Sequence, residues 1–163
     1  MRTLVPTVPE NMPRPLRILA LDPGITTGYV TASVPEIQPI LLVCGEDKMT
    51  HRELWLLLEN VSPDVIVCES FEYRSRARDN VELFSREMIG VVNLYNQSNR
   101  GVKLVMQSAA KGKSYFGDDK KLKELGVYKP GKPHGRDAMR HFLQWLMFGQ
   151  GFQYYADQKV QLT

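Results

Sequence analysis

The order of short apolar runs along the chain constrains its fold more than any other feature. Three strand-like runs come first, at Arg17–Leu21, Gly28–Val34 and Pro39–Cys44, separated by turn-forming residues. Helices and strands then alternate. Thr50-His51-Arg52-Glu53 has the capping-box pattern, and Leu54, Leu57, Leu58 and Val61 follow at helical spacing. Ser62-Pro63 stops that helix, and Val65–Cys68 is a short, wholly apolar strand reaching Glu69. A second helix begins near Asn80 and is broadly apolar through Leu83, Phe84, Ile89, Val91, Val92, Leu94 and Tyr95. Val102–Met106 is the fifth strand. A basic segment with a small helix, Asp119–Leu125 closed by Gly126, precedes a strongly apolar last helix over Gly135–Phe148. The order β-β-β-α-β-α-β-α is an antiparallel meander continued as alternating α and β. It predicts a mixed sheet with helices on its faces.

A chain of 163 residues, 43% of them apolar, is expected to form one domain with its own core. Residues 1–16 carry four prolines and read as a flexible arm, 17–149 as the domain and 150–163 as a tail. No apolar run approaches a membrane span, and the first residues lack a signal peptide's apolar centre. Cys44 and Cys68 lie inside strand-like runs without metal-type spacing, as expected of buried thiols in a cytoplasmic protein.

Acidic residues stand at the ends of these elements. The run Ile18–Val30, ILALDPGITTGYV, delivers Asp22 from an apolar strand onto a Pro-Gly turn, with Gly24 and Gly28 letting backbone or ligand come close. Taken alone, it fits an ordinary hairpin turn as well as a site. Glu69 ends the fourth strand. Asp137 lies in the first turn of the last helix, three residues after His134, so both project from one side of the helix start. If strands one and four are neighbours, Asp22 and Glu69 meet at one sheet edge, where the last helix adds His134 and Asp137. Oxygen-rich clusters of this kind hold magnesium or manganese, and two such ions about 3.5–4 Å apart serve phosphodiester cleavage. The plainer alternatives are a salt bridge from Glu69 to Arg74, Arg76 or Arg78, and a helix-dipole role for Asp137. Four such residues, each at an element end, favour a site.

The strings LDPGITTGYV, VIVCESF and HGRDA, the last opening an apolar helix, resemble the RuvC group of Holliday-junction resolvases within the ribonuclease H-like superfamily. The segment KLKELGVYKPGKPHGRDAMRH is more similar to the RuvC-like resolvases of tailed bacteriophages. The resemblance runs from about Ile18 to Phe148. It implies an α/β ribonuclease H-like fold with a five-stranded mixed sheet, order 3-2-1-4-5, flanked by helices. It also implies two magnesium ions, or manganese, held by Asp22, Glu69 and Asp137, with His134 at a position that binds metal or helps activate water. All four are carried over as catalytic residues and metal ligands. The implied activity is that of a structure-specific endodeoxyribonuclease. It acts as a homodimer on four-way junctions, with flaps and forks as further substrates, in DNA recombination and repair. The implied location is the cytoplasm, the host's if the chain is viral, with no membrane and no nucleotide cofactor. One departure stands out. Family members use an aromatic in the loop after the strand-four Glu, whereas Phe71 and Tyr73 are not at the family's spacing. Packing of Phe71 on the core is the plain alternative.

Charge points to a polyanionic partner. Residues 1–70 hold five Lys/Arg against nine Asp/Glu, while residues 71–140 hold fifteen against eight, a swing from −4 to +7. Arg74, Arg76 and Arg78 alternate along one loop and would face one groove if extended. Lys111, Lys113, Lys120, Lys121 and Lys123 are further candidates for phosphate contact, although the last three span more than one helix face. Gln107 and Ser108 are candidate backbone-phosphate hydrogen bonders, with Ser108 alternatively capping a short helix.

Three rivals remain. Asp22-Pro23-Gly24-Ile25-Thr26 also fits the opening of the actin and sugar-kinase group, but those enzymes need two such domains and this chain has length for one. A branched-DNA binder without turnover is disfavoured because unpaired buried carboxylates are costly. A ribonuclease H-like nuclease of other substrate preference shares the fold and metal site, the substrate being set by loops.

Overall fold

Two strands are apolar on both faces and therefore lie at the centre of the sheet. The structure, a computed structural model, describes residues 14–34, 40–71 and 79–149. In chain order the elements are β1 (Leu16–Asp22), β2 (Thr27–Val34), β3 (Leu41–Asp47), α1 (His51–Val61), β4 (Val65–Glu69), α2 (Asp79–Ser98), β5 (Lys103–Gln107), α3 (Ala109–Phe116), α4 (Asp119–Glu124) and α5 (Pro133–Phe148). Ile18 to Leu21 and Val65 to Cys68 are all buried, as befits strands covered on both sides. They pair in parallel, flanked by antiparallel β2 and β3 on one side and parallel β5 on the other, giving the order β3-β2-β1-β4-β5. The expected five-stranded mixed sheet of order 3-2-1-4-5 is observed.

Alternation along the central strands divides the core in two. Ile18, Ala20, Val65 and Val67 point to α5, where they meet Ala138, Met139, Phe142, Leu143 and Leu146. Leu19, Leu21, Ile66 and Cys68 point the other way, against Leu54 and Leu58 of α1 and Met88, Val92 and Tyr95 of α2. Helix α1 begins with the capping box foreseen at Thr50 and Glu53, and ends at Ser62 in the left-handed region (φ 47°). No helix among the described residues is long and apolar enough to cross a membrane.

Several element ends move by a residue or two, and three differences from expectation go further. Strand β3 is Leu41–Asp47, because Gly45, Glu46 and Asp47 continue the ladder opposite Tyr29, Gly28 and Thr27. Their polar character hides that from a reading of apolar pattern, and Pro39 lies outside the described residues. The basic segment holds two helices where one was expected. Ser108 Oγ accepts the Lys111 N–H to start α3, and Asp118 caps α4. At the other end, Arg14 pairs with Asp64 and Leu16 opens β1, so the expected arm over 1–16 loses its last three residues. Residues 1–13 of that arm and the tail 150–163 lie outside the described residues.

Candidate active site

Parallel pairing of β1 and β4 brings two carboxylates to one sheet edge. Leu21 is the register partner of Cys68, so Asp22 and Glu69 end neighbouring strands side by side. Helix α5 crosses β2 at that edge and brings His134 and Asp137 to the same cleft, which has a volume of about 460 Å³.

The start of α5 is held by two residues far away in sequence. Its N-cap, Lys132, makes no side-chain cap; instead Oε2 of Glu46 accepts the His134 N–H (2.8 Å) and the Gly135 N–H (3.1 Å). A β3 side chain thus supplies the negative charge that a helix N-terminus favours. Below it, a Cβ on Gly28 would overlap the His134 carbonyl. Gly28 is therefore required for helix-on-strand packing, with helix backbone rather than ligand as the close neighbour.

Each acidic group in the cleft faces a cationic or ring-nitrogen partner. His134 Nδ1 lies 2.9 Å from Oδ2 of Asp22. Glu69 Oε2 lies 2.7 Å from Nε2 of His141. Asp137 accepts from Arg140 and has Lys113 Nζ 3.3 Å away. Arg140 is itself buried, donating to the Phe116 carbonyl and to Asp119. Burial, with the adjacent negative charge of Glu69, pushes the Asp22 carboxyl up to about 6. His134 opposes that shift and Asp137 adds to it.

Among the described residues no three His, Cys, Asp or Glu side chains stand close enough to cage an ion as placed. The donor chemistry nonetheless fits a hard divalent cation. Three carboxylates and an imidazole share one cleft, and a cation would offset both the burial and the repulsion that raise Asp22. Loading would require Asp137 to share with, or leave, Arg140 and Lys113.

The DNA-contact candidates scatter. Arg74, Arg76, Arg78 and Tyr73 lie outside the described residues. Gln107, expected as a phosphate hydrogen bonder at the surface, is instead buried: it is 2% exposed, with Oε1 2.9 Å from His141 Nδ1. Ser108 is the cap of α3, its plainer reading. Lys111 and Lys113 are exposed on α3, the latter beside the cleft. Lys120 pairs loosely with Glu124, and Lys121 Nζ lies 3.3 Å from the Tyr115 ring centroid. Phe71 is partly buried and lines the cleft, with the Arg86 guanidinium 4.4 Å from its ring centroid.

Three participants escape a reading by motif. His141 follows Asp137 by four residues and Arg140 by three, a same-face spacing visible in the sequence. Glu46 carries no such signal.

Comparison with solved structures finds the same architecture. RuvC of Thermus thermophilus in complex with a Holliday junction substrate superposes with a TM-score of 0.64 at 17% identity, covering 84% of this chain and 96% of that one. A second Thermus thermophilus RuvC structure gives 0.60 at 17% identity, covering 86% and 95%. The fold is RuvC-like. No protein-family profile matches the sequence, and no curated protein matches it.

Proposed function

We propose that this chain is a divalent-metal-dependent endonuclease that cuts branched DNA, four-way junctions first. The observation that carries the reading is the convergence of Asp22, Glu69, Asp137 and His134, from β1, β4 and α5, on one cleft. The RuvC-like fold supports it, and so does the order of the three sequence motifs.

Asp22, Glu69 and Asp137, with His134, would hold magnesium or manganese, two ions per site. When bound, such ions supply Lewis acidity at the phosphodiester and an activated water. The chain's own groups do the rest. Lys113, at the cleft edge, offers its ammonium to a phosphate oxygen. The half-exposed His134 ring is anchored to Asp22 through Nδ1, and its Nε2 would be the atom for proton transfer or metal binding. Lys111 and the flanking basic segment extend the positive surface from the cleft. The reading includes a homodimer, a role in recombination or repair, kinship with tailed-bacteriophage resolvases and a place in the host cytoplasm. Those finer points rest on sequence resemblance.

One observation favours a second reading. The cleft carboxylates all have partners, so burial cost alone no longer argues against a branched-DNA binder without turnover. Labelled four-way junctions, flaps, duplex and RNA/DNA hybrids incubated with Mg2+ decide between them. Junction cleavage supports the nuclease. Tight junction binding with no cleavage in Mg2+ or Mn2+ supports the binder, and equal rates on hybrid and junction would favour a ribonuclease.

A further inference from the structure

His141 lies beneath the cleft and takes no part in the chemistry proposed above. It is 1% exposed and bridges the last residues of β4 and β5, with Nε2 2.7 Å from Glu69 Oε2 and Nδ1 2.9 Å from Gln107 Oε1. Glu69 and Gln107 are register partners, so one ring spans both strand ends. Helix α3 closes a third side: Gly112 is buried, and a Cβ there would meet the ring edge. The imidazole is thus fixed by packing and by both its nitrogens.

Glu69 differs. Its side chain is 22% exposed, and Oε1 makes no hydrogen bond to a described residue while the side chain lines the cleft. A long carboxylate loses rotamer freedom when a ligand orders it. A carboxylate already held at one oxygen loses less, which is how outer groups tune a metal site.

We propose that His141 is a positioning residue for Glu69. Its Nε2–H holds one carboxylate oxygen and leaves the other turned to the cleft, preset for a divalent cation. The inference rests on the metal-dependent reading above. It does not depend on how Nδ1 is satisfied. Either an imidazolium donates from both nitrogens, or the Gln107 amide, turned over, donates to Nδ1 of a neutral ring whose one N–H sits at Nε2; Glu69 is held in both cases. One helix then carries a candidate ligand at Asp137 and, a turn later, the support of another.

The test is calorimetric titration of the intact protein with Mn2+ and no DNA, beside thermal melting of the metal-free protein. His141→Leu is expected to weaken Mn2+ binding by about 10–100-fold. His141→Gln, which keeps an N–H donor toward Glu69, is expected to recover most of that loss. In a Glu69→Gln background, His141→Leu should weaken Mn2+ binding no further. If His141→Leu lowers the melting temperature but the folded protein binds Mn2+ like the wild type, the proposal is overturned and the metal-dependent reading stands. If the wild-type chain binds no Mn2+, both fall. Should His141→Leu not fold, His141→Met takes its place, since its flexible side chain fills similar space and likewise offers no donor to Glu69. Weakened Mn2+ binding there supports the proposal, and wild-type affinity overturns it.

Discussion

Two aspartates at opposite ends of the sheet show how differently one residue type can be used. Asp64, just before β4, accepts two hydrogen bonds from Arg14 and one from the Arg17 N–H. Burial pushes its carboxyl up, but those donors win and hold it below the ordinary value. Asp22, at the end of β1, is more deeply buried, has a single side-chain partner and two carboxylates for neighbours; burial first and those charges second raise it to about 6. Donors collected around a carboxylate stabilise a fold. A carboxylate left crowded and short of donors costs stability and is ready for a cation.

The largest expected effect comes from removing the crowded charges. Asp22→Asn, Glu69→Gln or Asp137→Asn should each cut junction cleavage by about a thousandfold or more, with junction binding largely retained. Full cleavage by any of them removes that residue from the site. In metal-free protein, Asp22→Asn should do the opposite of harm. A carboxyl raised in the folded state favours folding at low pH and loses that advantage as pH rises through about 6. Denaturant unfolding at pH 8 without metal should therefore show Asp22→Asn more stable by roughly 1–3 kcal/mol, with the gap closing toward pH 4. For the same reason, wild-type affinity for Mn2+ should fall below about pH 6, as protons compete for Asp22.

Gly28→Ala comes next. The added methyl meets the His134 carbonyl, so it should cost about 1–3 kcal/mol and reduce cleavage even where the protein remains folded. Unchanged melting and unchanged cleavage together would refute the packing role.

Asp64→Asn sharpens the contrast from the other end. It should destabilise the protein by about 1–2 kcal/mol at neutral pH while leaving cleavage at 25 °C unchanged. Its carboxyl is lowered in the fold, so its contribution is present above the ordinary pKa and fades as pH falls through the folded value. The difference between variant and wild type should accordingly shrink toward pH 3 in denaturant titrations.

Lys113→Ala is the smallest. It should weaken junction binding severalfold and lower the slope of log affinity against log salt by about 1. An unchanged slope would mean that Lys113 serves only Asp137.

The candidate site residues are more legible than their surroundings. Asp22, Glu69, His134 and Asp137 announce themselves because strand ends and helix starts are local events, written in apolar runs, a Pro-Gly turn and a short spacing. Ser108 was legible as a cap for the same reason, and the structure prefers that reading. Gln107 was misplaced because its position just past an apolar run looks solvent-exposed, whereas α5 lays His141 over it. Glu46 passed unnoticed: it caps a helix 88 residues later, and no local pattern encodes that.

The sequence by itself determined which elements form and which acidic residues end them, because periodicity, caps and turns act within a few residues. Only the tertiary structure decided what each acidic residue meets. His134 falls to Asp22, His141 to Glu69, Arg140 to Asp137 and Glu46 to the start of α5. Three of those four contacts join residues more than 70 positions apart, and the fourth depends on a guanidinium anchored to α3 and α4. Partnerships at such separations follow from how the sheet and α5 pack, and that packing has no signature in any one stretch of the chain.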